Sequence, residues 1–513
     1  MARVYSNNRL TEYTHENGGR VILLFLLFLL AIYQFINSGF PAFSVICLSP
    51  LLILSVYIIF KWRMAAFWAL IVINYFLQLK DSPFPSFVPM SLWNEMIEII
   101  LLAIAIIDAR QMPQFSRCAN LMLFALVIWC GFCTLQVLND TCDLGINVAA
   151  WYTGARLLAF QILYAFIIFS IYISTPKVLL KYLYLWAFLS LFSVFWTYKQ
   201  RYIGLTPTET AWLYYGPGSR THLIQAGTLI RYWSTFSDAA SYGIHAAAAS
   251  VVFIIIAITT KITWDRIFFA ATSILVIWGM FQSGTRTAIF CLGAGLIIYI
   301  FLSKSIKIAV PFSIVFGLFA CMLIFTNIGQ GNQQIRRMRS AFDRKDASAN
   351  VRDINKAAIR KYIVDAPWGL GIGANYNNIP ANNKYRKLSE IPPDSEYVYI
   401  WVHAGVIGLT VFIITNVIMF LGACRIVLFK LKSKSLMGIG AGLCGAFVAI
   451  HLGGYGNHIM MQFPNGLTFY GGLTIVYILP YLEPEWIKYE EQRIAKQMKR
   501  KRRKLEKILA SRV

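Results

Sequence analysis

The chain has 513 residues, of which 58% are hydrophobic and only 14% are charged, and its mean hydropathy is +0.59. This composition is too apolar for a soluble protein with one or several cores. The formal net charge of +24 shows that the few charged residues are predominantly basic, so their positions along the chain carry information about membrane topology.

Fourteen apolar segments are predicted to be transmembrane helices. They are continuous runs of about twenty residues, the length that an α-helix needs to cross about 30 Å of hydrocarbon, and not the short alternating strands of a β-barrel. The sequence therefore predicts an all-α, polytopic integral membrane protein of about 12–14 spans. The segments are centred on residues 21–37, 41–60, 64–78, 91–108, 119–138, 158–173, 178–197, 241–259, 267–283, 287–303, 306–327, 397–420, 436–452 and 463–481.

The basic residues predict the orientation of these spans. Residues 1–20 are polar and lack the basic region and cleavage site of a signal peptide, so we expect a cytoplasmic amino-terminal segment. Every second connection should then be rich in Lys and Arg. The outside connections are poorer, with none at 38–40 and only Lys80 at 79–90. The predicted inside connections carry Lys61/Arg63, Arg110/Arg117, Lys177/Lys181, Lys261/Arg266, Lys304/Lys307 and Arg425/Lys430/Lys432/Lys434.

This orientation sends two long polar connections to the outer side, where we expect the function to lie. The carboxy-terminal tail falls inside, as an even number of spans requires. The predicted organisation is a cytoplasmic segment 1–20, transmembrane helices 21–327 with an outer loop at about 198–240, a large outer loop 328–396, transmembrane helices 397–481 and a basic cytoplasmic tail 482–513.

The tail is the most basic part of the chain. From Lys488 to Val513 it has eleven Lys or Arg residues against three Glu. Nucleic-acid binding is one interpretation of such a run. We favour a segment that fixes topology and binds anionic lipid headgroups, because each basic residue near a membrane surface contributes roughly 1 kcal/mol.

Arginines are unexpectedly frequent in the predicted outer connections. The first loop contains YYGPGSR, which ends at Arg220, and RYWSTFSDAASYG, which begins at Arg231; the short SGTRTA turn adds Arg286 and the second loop adds Arg352. The planar guanidinium binds phosphate oxygens bidentately. These four residues are therefore candidates for binding a lipid-linked diphosphate. Contacts with lipid headgroups are the alternative, above all for Arg336, Arg337 and Arg339.

The second loop predicts a helix followed by a glycine-rich turn. NVRDINKAAIRKYIVDAP places Ile354, Ala358, Ile359 and Tyr362 on one helical face, and PWGLGIG follows. The glycines resemble a dinucleotide fingerprint only superficially, because no strand precedes them. A close approach of the backbone is the better interpretation.

Two carboxylates lie at the mouth of the twelfth span. Asp394 and Glu396 could ligate a metal, act as a base toward a hydroxyl, or favour the helix N-terminus as acidic first-turn residues. His403 lies about two turns into the span and is interpreted as packed. His458, in GGYGNHIMM, is freer, but the sequence assigns it no role.

The order and spacing of these motifs, over about 200–410, resemble the O-antigen ligase and polymerase superfamily. The motifs are RYWSTFSDAASYG, SGTRTA, the helix from Arg352 through PWGLGIG, and YVYIWVHAGVIGL. The resemblance implies a GT-C-like glycosyltransferase of the bacterial inner membrane. Its active site would face the periplasm, its donor would be an undecaprenyl-diphosphate-linked glycan, and Arg231, Arg286 and Arg352 would bind the diphosphate.

One departure from the family pattern bears on the reaction. Ligases of this family carry a histidine about eleven residues before the glycine of their G-[VI]-[IV]-G-L signature, and counting back from Gly405 reaches Asp394. A carboxylate can perform the same proton transfer. The resemblance therefore implies a polymerase of O-antigen, capsule or exopolysaccharide repeat units, with Asp394 as base and Glu396 as its substitute.

Other functions remain open at this stage. A ligase would transfer the glycan to lipid A core, and a lipid-linked glycan flippase or transporter would use the outer arginines as a vestibule. We expect no cofactor and no metal, since the outer connection at 38–40 lacks the acidic residue that metal-using lipid-linked oligosaccharyltransferases place there. The expected partners are the lipid-linked donor, a glycan or lipid A core acceptor, and anionic lipids at the tail, without nucleic acid.

Overall fold

The computed structural model describes residues 61–81, 90–108, 113–224, 229–303, 325–331, 333–339 and 347–510, with scattered positions between 18 and 57 and between 311 and 322. Residues 1–66 form one compact unit, whose described positions are almost all helical, and residues 67–513 form a second. The predicted spans at 41–60 and 306–327 lie largely outside the described residues, as do the segment 1–20 and part of the span at 21–37.

Fifteen helices and one short hairpin are labelled here in chain order. They are α1 Arg63–Phe76, α2 Met90–Ile107, α3 Leu121–Leu135, α4 Val148–Tyr172, α5 Pro176–Ile203, α6 Pro207–Tyr214, α7 Gly218–His222, β1 Leu223–Ile224, β2 Leu229–Ile230, α8 Ala239–Thr259, α9 Thr263–Gln282, α10 Thr287–Ser303, α11 Gln333–Arg339, α12 Ala347–Ile363, α13 Glu396–Lys430, α14 Lys434–Gly456 and α15 Asn465–Ala510.

These elements confirm the predicted fold class, an all-α polytopic membrane protein. Seven described helices are long and apolar enough to cross a membrane, namely α3, α4, α5, α8, α9, α13 and α14, and α1 and α10 are shorter apolar helices. Within the described ranges the only sheet is the antiparallel pair β1–β2, with two residues in each strand.

Some predicted boundaries differ from the observed ones. Helix α4 begins at Val148, ahead of the predicted span at 158–173, and α13 continues to Lys430, beyond the predicted 397–420. Helix α15 runs without interruption from Asn465 to Ala510, through Pro480 and Pro484, so it crosses the predicted start of the tail at 482. Hydropathy marks where a helix is apolar, whereas backbone hydrogen bonding carries the helix on into polar sequence.

Helices α8, α10 and α14 form the centre of the second unit. Helix α8 packs against α9, α10 and α14, and most of its residues are buried. Helices α10 and α14 meet at a pair of glycines: a Cβ on Gly295 would lie 2.9 Å from the carbonyl oxygen of Gly445, and one on Gly445 would lie 2.5 Å from that of Gly295. The small side chain is therefore what permits this close crossing.

A buried polar network fixes the connection between α14 and α15. His245 Nδ1 on α8 donates to Asn465 Oδ1 at 2.8 Å, and its Nε2 accepts from Tyr75 Oη at 3.1 Å. Asn465 Nδ2 in turn donates to the carbonyl oxygen of Ile459 at 2.9 Å. All three side chains are almost fully buried, so the network holds residues 457–464 against the bundle.

The segment between α11 and α13 packs onto the start of α13 through its own apolar cluster. Ile359 and Ile363 of α12 join Leu370, Leu388 and Val398 in this cluster. The predicted apolar face of α12 is thus confirmed for Ile359 and Tyr362, which contact the cluster, but wrong for Ile354, which is 66% exposed.

The glycine turn and α13 are locked together by two left-handed glycines. Gly405 interrupts α13 with φ 71°, and Gly369 of the PWGLGIG turn has φ 78°. A Cβ on Gly369 would lie 2.4 Å from the backbone nitrogen of Gly405. The close backbone approach that the sequence suggested is therefore an approach to α13, and it allows Leu370 and Gly371 to donate backbone hydrogen bonds to the carbonyl oxygens of Val402 and His403 at 2.9 and 3.0 Å.

At the end of the bundle where α8 connects to α9, basic residues are paired with carboxylates. Arg493 of α15 makes two hydrogen bonds of 2.7 Å with Asp265 at the start of α9. Lys261 contacts Glu490 at 3.1 Å. The beginning of the predicted tail thus docks on the α8–α9 connection.

Candidate functional site

Arginines from several segments converge where the loop before α8, the turn between α9 and α10, α11 and α12 meet. Arg231 lies in the loop, Arg286 in the turn, Arg337 on α11 and Arg352 on α12. This group is called the arginine cluster below. Its members span more than a hundred positions of the chain, so tertiary structure assembles it.

Arg231 is held by three hydrogen bonds to the protein. Its guanidinium donates to the carbonyl oxygens of Thr221 and Ser283, at 3.0 and 3.3 Å, and to Thr285 Oγ1 at 3.1 Å. Burial, together with the positive charges of Arg286 and Arg352 and against the carboxylate of Asp238, lowers the pKa of Arg231 to about 10. Arg231 therefore stays charged at neutral pH, in a field that is already positive.

The turn between α9 and α10 connects the cluster to α8. Gly284 has φ 58°, which turns the chain sharply between the two helices. Thr285 Oγ1 donates to the carbonyl oxygen of Ala239 at 2.8 Å, and Arg337 Nε donates to that of Gly284 at 2.6 Å. These contacts fix the turn in which Arg286 lies, immediately before α10.

A polar cavity of about 320 Å³ lies beside the cluster, between α10, α12, α13 and α14. Arg352 and Lys356 contribute positive charge to its lining and Asp353 and Asp394 contribute negative charge. Asp394 Oδ2 accepts a 2.8 Å hydrogen bond from Asn355 Nδ2. A carboxylate oriented by an amide, across a cavity from an arginine, can accept a proton from a bound hydroxyl while the arginine holds an anion.

Glu396 points away from this cavity. It is fully buried, and its Oε2 accepts from the backbone nitrogen of Met460 at 2.9 Å and lies 3.2 Å from His458 Nδ1. Its other oxygen, Oε1, has no hydrogen-bond partner among the described residues. The two candidate carboxylates therefore differ: Asp394 lines the cavity and Glu396 supports the loop 457–464.

An apolar groove of about 420 Å³ adjoins the polar cavity and is lined by residues of α13 and α14. The two spaces share Leu452 and Tyr455 in their lining. Apolar and aromatic side chains dominate the groove, and its few polar atoms are already paired, as in the 3.0 Å hydrogen bond between His451 Nε2 and Asn416 Oδ1. The combined space suits a ligand with a charged head and an apolar chain.

Residues 271–413 match the sequence model of a known family, Wzy_C, described as O-Antigen ligase. This match supports membership in the O-antigen ligase and polymerase superfamily. A comparison with curated proteins found no match. Together with the seven described helices that are long and apolar enough to cross a membrane, the match supports a multi-pass membrane protein with an O-antigen ligase or polymerase type of activity in general.

The superfamily match covers most of the predicted site residues. Arg286, Arg352, Asp394 and Glu396 lie inside 271–413, whereas Arg231 precedes it. The structure brings Arg231, Arg286 and Arg352 together, because each of the latter two is close enough to affect the pKa of the first. It also places Asp394 in the same cavity as Arg352.

Arg220 stands apart from the other predicted diphosphate-binding residues. It is exposed on the five-residue helix α7, and no hydrogen bond or ion pair joins it to another residue in the described ranges. Its neighbour Thr221 contacts Arg231. Arg220 is therefore close to Arg231 in the sequence, but its side chain does not join the arginine cluster.

Two residues near the site were not among the residues predicted to bind substrate or to act in catalysis. Arg337 was interpreted as a headgroup contact, yet it binds the Gly284 carbonyl oxygen. Lys80 donates to the carbonyl oxygen of Ser237 at 3.0 Å, and burial lowers its pKa to about 8 against the attraction of Asp238. The available signal for this residue was that it is the only Lys or Arg in the predicted outer connection 79–90.

Metal ligands are not assembled in the described part of the chain. Among those residues, no group of three or more His, Cys, Asp or Glu side chains is placed to hold a metal ion.

Proposed function

We propose that the protein transfers a glycan from an undecaprenyl-diphosphate carrier to a sugar hydroxyl on the periplasmic face of the bacterial inner membrane. The preferred reaction is polymerisation of O-antigen, capsule or exopolysaccharide repeat units. Transfer to lipid A core is the alternative that the family description favours. Asp394, at the position where ligases of the family carry histidine, supports the polymerase.

The observation that carries this proposal is the junction of a charged cavity with an apolar groove. The cavity presents Arg352 and Lys356, and the apolar groove between α13 and α14 adjoins it at Leu452 and Tyr455. A diphosphate on a long isoprenoid chain has matching chemistry: guanidinium groups bind its oxygens, and an apolar groove shelters its hydrocarbon.

The proposed reaction uses the arginine cluster as an electrostatic clamp. The acceptor hydroxyl oxygen attacks the anomeric carbon and forms the new glycosidic bond. The bond between that carbon and the phosphate oxygen breaks, and its electron pair leaves with the diphosphate. Arg231, Arg286 and Arg352 stabilise the negative charge that develops on this oxygen, and the Asp394 carboxylate takes the hydroxyl proton.

The experiment that tests the function is a glycan and lipopolysaccharide gel of a deletion strain complemented with wild type, Arg286→Ala or Asp394→Ala. A polymerase predicts single repeat units on the core in the deletion strain, and a ligase predicts long glycan on the carrier with bare core. We expect Arg286→Ala to give the deletion profile while the protein remains in the membrane, because a clamp missing one guanidinium stabilises the leaving group poorly.

A second measurement separates an enzyme from a flippase. Purified protein in detergent has no second compartment, so only an enzyme can lengthen or transfer glycan there. Wild-type product from lipid-linked donor in detergent supports the proposal. Full activity of Arg286→Ala in that assay would remove the diphosphate role from the cluster.

A further inference from the structure

Loop 457–464 places His458 beside the arginine cluster. Its neighbour Asn457 accepts a hydrogen bond from Arg352 Nη2 at 3.5 Å. Gly456, one residue earlier, lines the polar cavity. The carbonyl oxygen of His458 accepts from Gln462 Nε2 at 2.7 Å, and Gln462 Oε1 contacts Ser237 Oγ next to Asp238. The backbone around His458 is thus connected to the same segments that carry Arg231 and Arg352.

The surroundings of His458 favour its protonated form. Glu396 Oε2 lies 3.2 Å from Nδ1, and the ring of Tyr399 lies 4.5 Å from the imidazole, centroid to centroid. Burial opposes the charged form, but the carboxylate of Glu396, with a further contribution from Asp238, raises the pKa of His458 above its ordinary value. The other titratable groups nearby are His403, which interacts electrostatically with His458, and Arg352, which donates a hydrogen bond to the neighbouring Asn457.

The geometry leaves one nitrogen of this ring available. Nδ1 is buried 3.2 Å from Glu396 Oε2, at ion-pair distance but without hydrogen-bond geometry, whereas Nε2 makes no hydrogen bond with any residue in the described ranges. The side chain is 37% exposed, while its carboxylate partner is fully buried. Here a buried carboxylate lies next to Nδ1 and orients the imidazole, while Nε2 stays open. This arrangement is typical of a histidine that binds a ligand or transfers a proton through Nε2, and less typical of a histidine that only fills space in the core.

We propose that His458, held by Glu396, is a fourth cationic contact for the substrate diphosphate and the one member of the cluster whose charge depends on pH. Nε2–H donates to a diphosphate oxygen beside Arg231 and Arg352. No covalent step is involved. This inference rests on the proposed function, since it assigns another residue to the same diphosphate site, and it makes Glu396 a positioning residue and not a substitute base.

The test measures binding of inorganic diphosphate to the purified full-length protein in detergent at pH 6 and pH 8. The ligand itself titrates in this range, so the informative quantity is the ratio of the two dissociation constants compared between variants. His458→Gln should weaken binding at pH 6 by roughly tenfold, the usual effect of one charge-assisted hydrogen bond, and should lose the part of the pH dependence that the imidazole supplies.

Three further variants sharpen the result. His458→Arg, with a permanent charge, should bind at pH 8 almost as well as at pH 6 once the titration of the ligand is subtracted. Glu396→Gln should move the midpoint of the pH dependence to lower pH, a shift that a merely structural role would not produce. Lys384→Ala, which removes an exposed charge from the same outer segment, should behave as wild type.

The outcomes separate this inference from the proposed function. If Arg286→Ala and Arg352→Ala lose affinity while His458→Gln keeps the wild-type affinity and pH dependence, His458 is not a diphosphate contact and the clamp stands. If none of the three variants changes binding, both the inference and the proposed function are wrong.

Discussion

At the scale of single residues, the two carboxylates at the start of α13 have different surroundings despite being two positions apart. Asp394 precedes the helix, lines the polar cavity and accepts from Asn355. Glu396 begins the helix and is fully buried against Met460 and His458. Of these two carboxylates, only Asp394 can receive a proton from a ligand in the cavity without a rearrangement of the loop 457–464.

This difference predicts separable effects on catalysis. Asp394→Asn keeps the shape of the side chain and can still accept from Asn355, but it cannot take a proton. We expect its turnover to fall by about 10²–10⁴-fold, the usual contribution of a general base, with an unchanged affinity for diphosphate. Single-turnover kinetics with lipid-linked donor, alongside the diphosphate binding assay, measure both quantities.

The matched control is Asp365→Asn, which removes an exposed carboxylate from the same outer segment and should leave turnover unchanged. An Asp394→Asn variant with wild-type turnover would mean that another group, or bulk water, accepts the proton.

At the scale of elements, the kink in α13 is set by the glycine turn. Gly405 has φ 71°, and a Cβ there would lie 2.0 Å from the carbonyl oxygen of Pro367. No rotation of a side chain relieves this clash, because both partners are backbone. The kink and the turn therefore depend on each other, and the residues leading from α12 into α13 depend on both.

Substitution of this glycine should be costly. We expect Gly405→Ala to lower the free energy of unfolding by about 1–3 kcal/mol or more, the range for a residue forced into a disfavoured backbone conformation. We also expect weaker glycan transfer, because Asp394 and Arg352 lie on the segments that the turn connects. Thermal unfolding in detergent and the gel profile are the two measurements.

Gly131→Ala in α3 supplies the comparison. A Cβ at Gly131 meets nothing within 4 Å, and the residue lies within a helix, so alanine there should be neutral or slightly stabilising. Equal unfolding temperatures for Gly405→Ala and wild type would show that the turn does not constrain α13.

At the scale of the whole molecule, periodic and compositional features were predictable and long-range juxtapositions were not. Long apolar runs identified most helices, and guanidinium chemistry indicated Arg231, Arg286 and Arg352. The partner of Glu396, by contrast, lies more than sixty positions away in the chain, as His458 and Met460. The sequence alone gives no distance between such residues, so it grouped Glu396 with Asp394 and Arg220 with Arg231.

The charges of the whole molecule also argue for one orientation in the membrane. The arginine cluster and the polar cavity lie at the end formed by the connections α7–α8, α9–α10 and α14–α15, whereas Arg493, Lys261 and their carboxylate partners lie at the other. Short connections rich in Lys and Arg stay in the cytoplasm. This arrangement favours a periplasmic site and a cytoplasmic tail.

Cysteine labelling in intact cells tests this orientation. Lys384→Cys lies in the exposed outer segment and Lys499→Cys on the basic part of α15. We expect a membrane-impermeant maleimide to label the former in intact cells and the latter only after the inner membrane is opened, with wild type as the control for the native cysteines. Labelling of Lys499→Cys alone in intact cells would show that the topology is the reverse of the predicted one. The arginine cluster would then lie on the cytoplasmic side, whereas the lipid-linked donor is proposed to react on the periplasmic face.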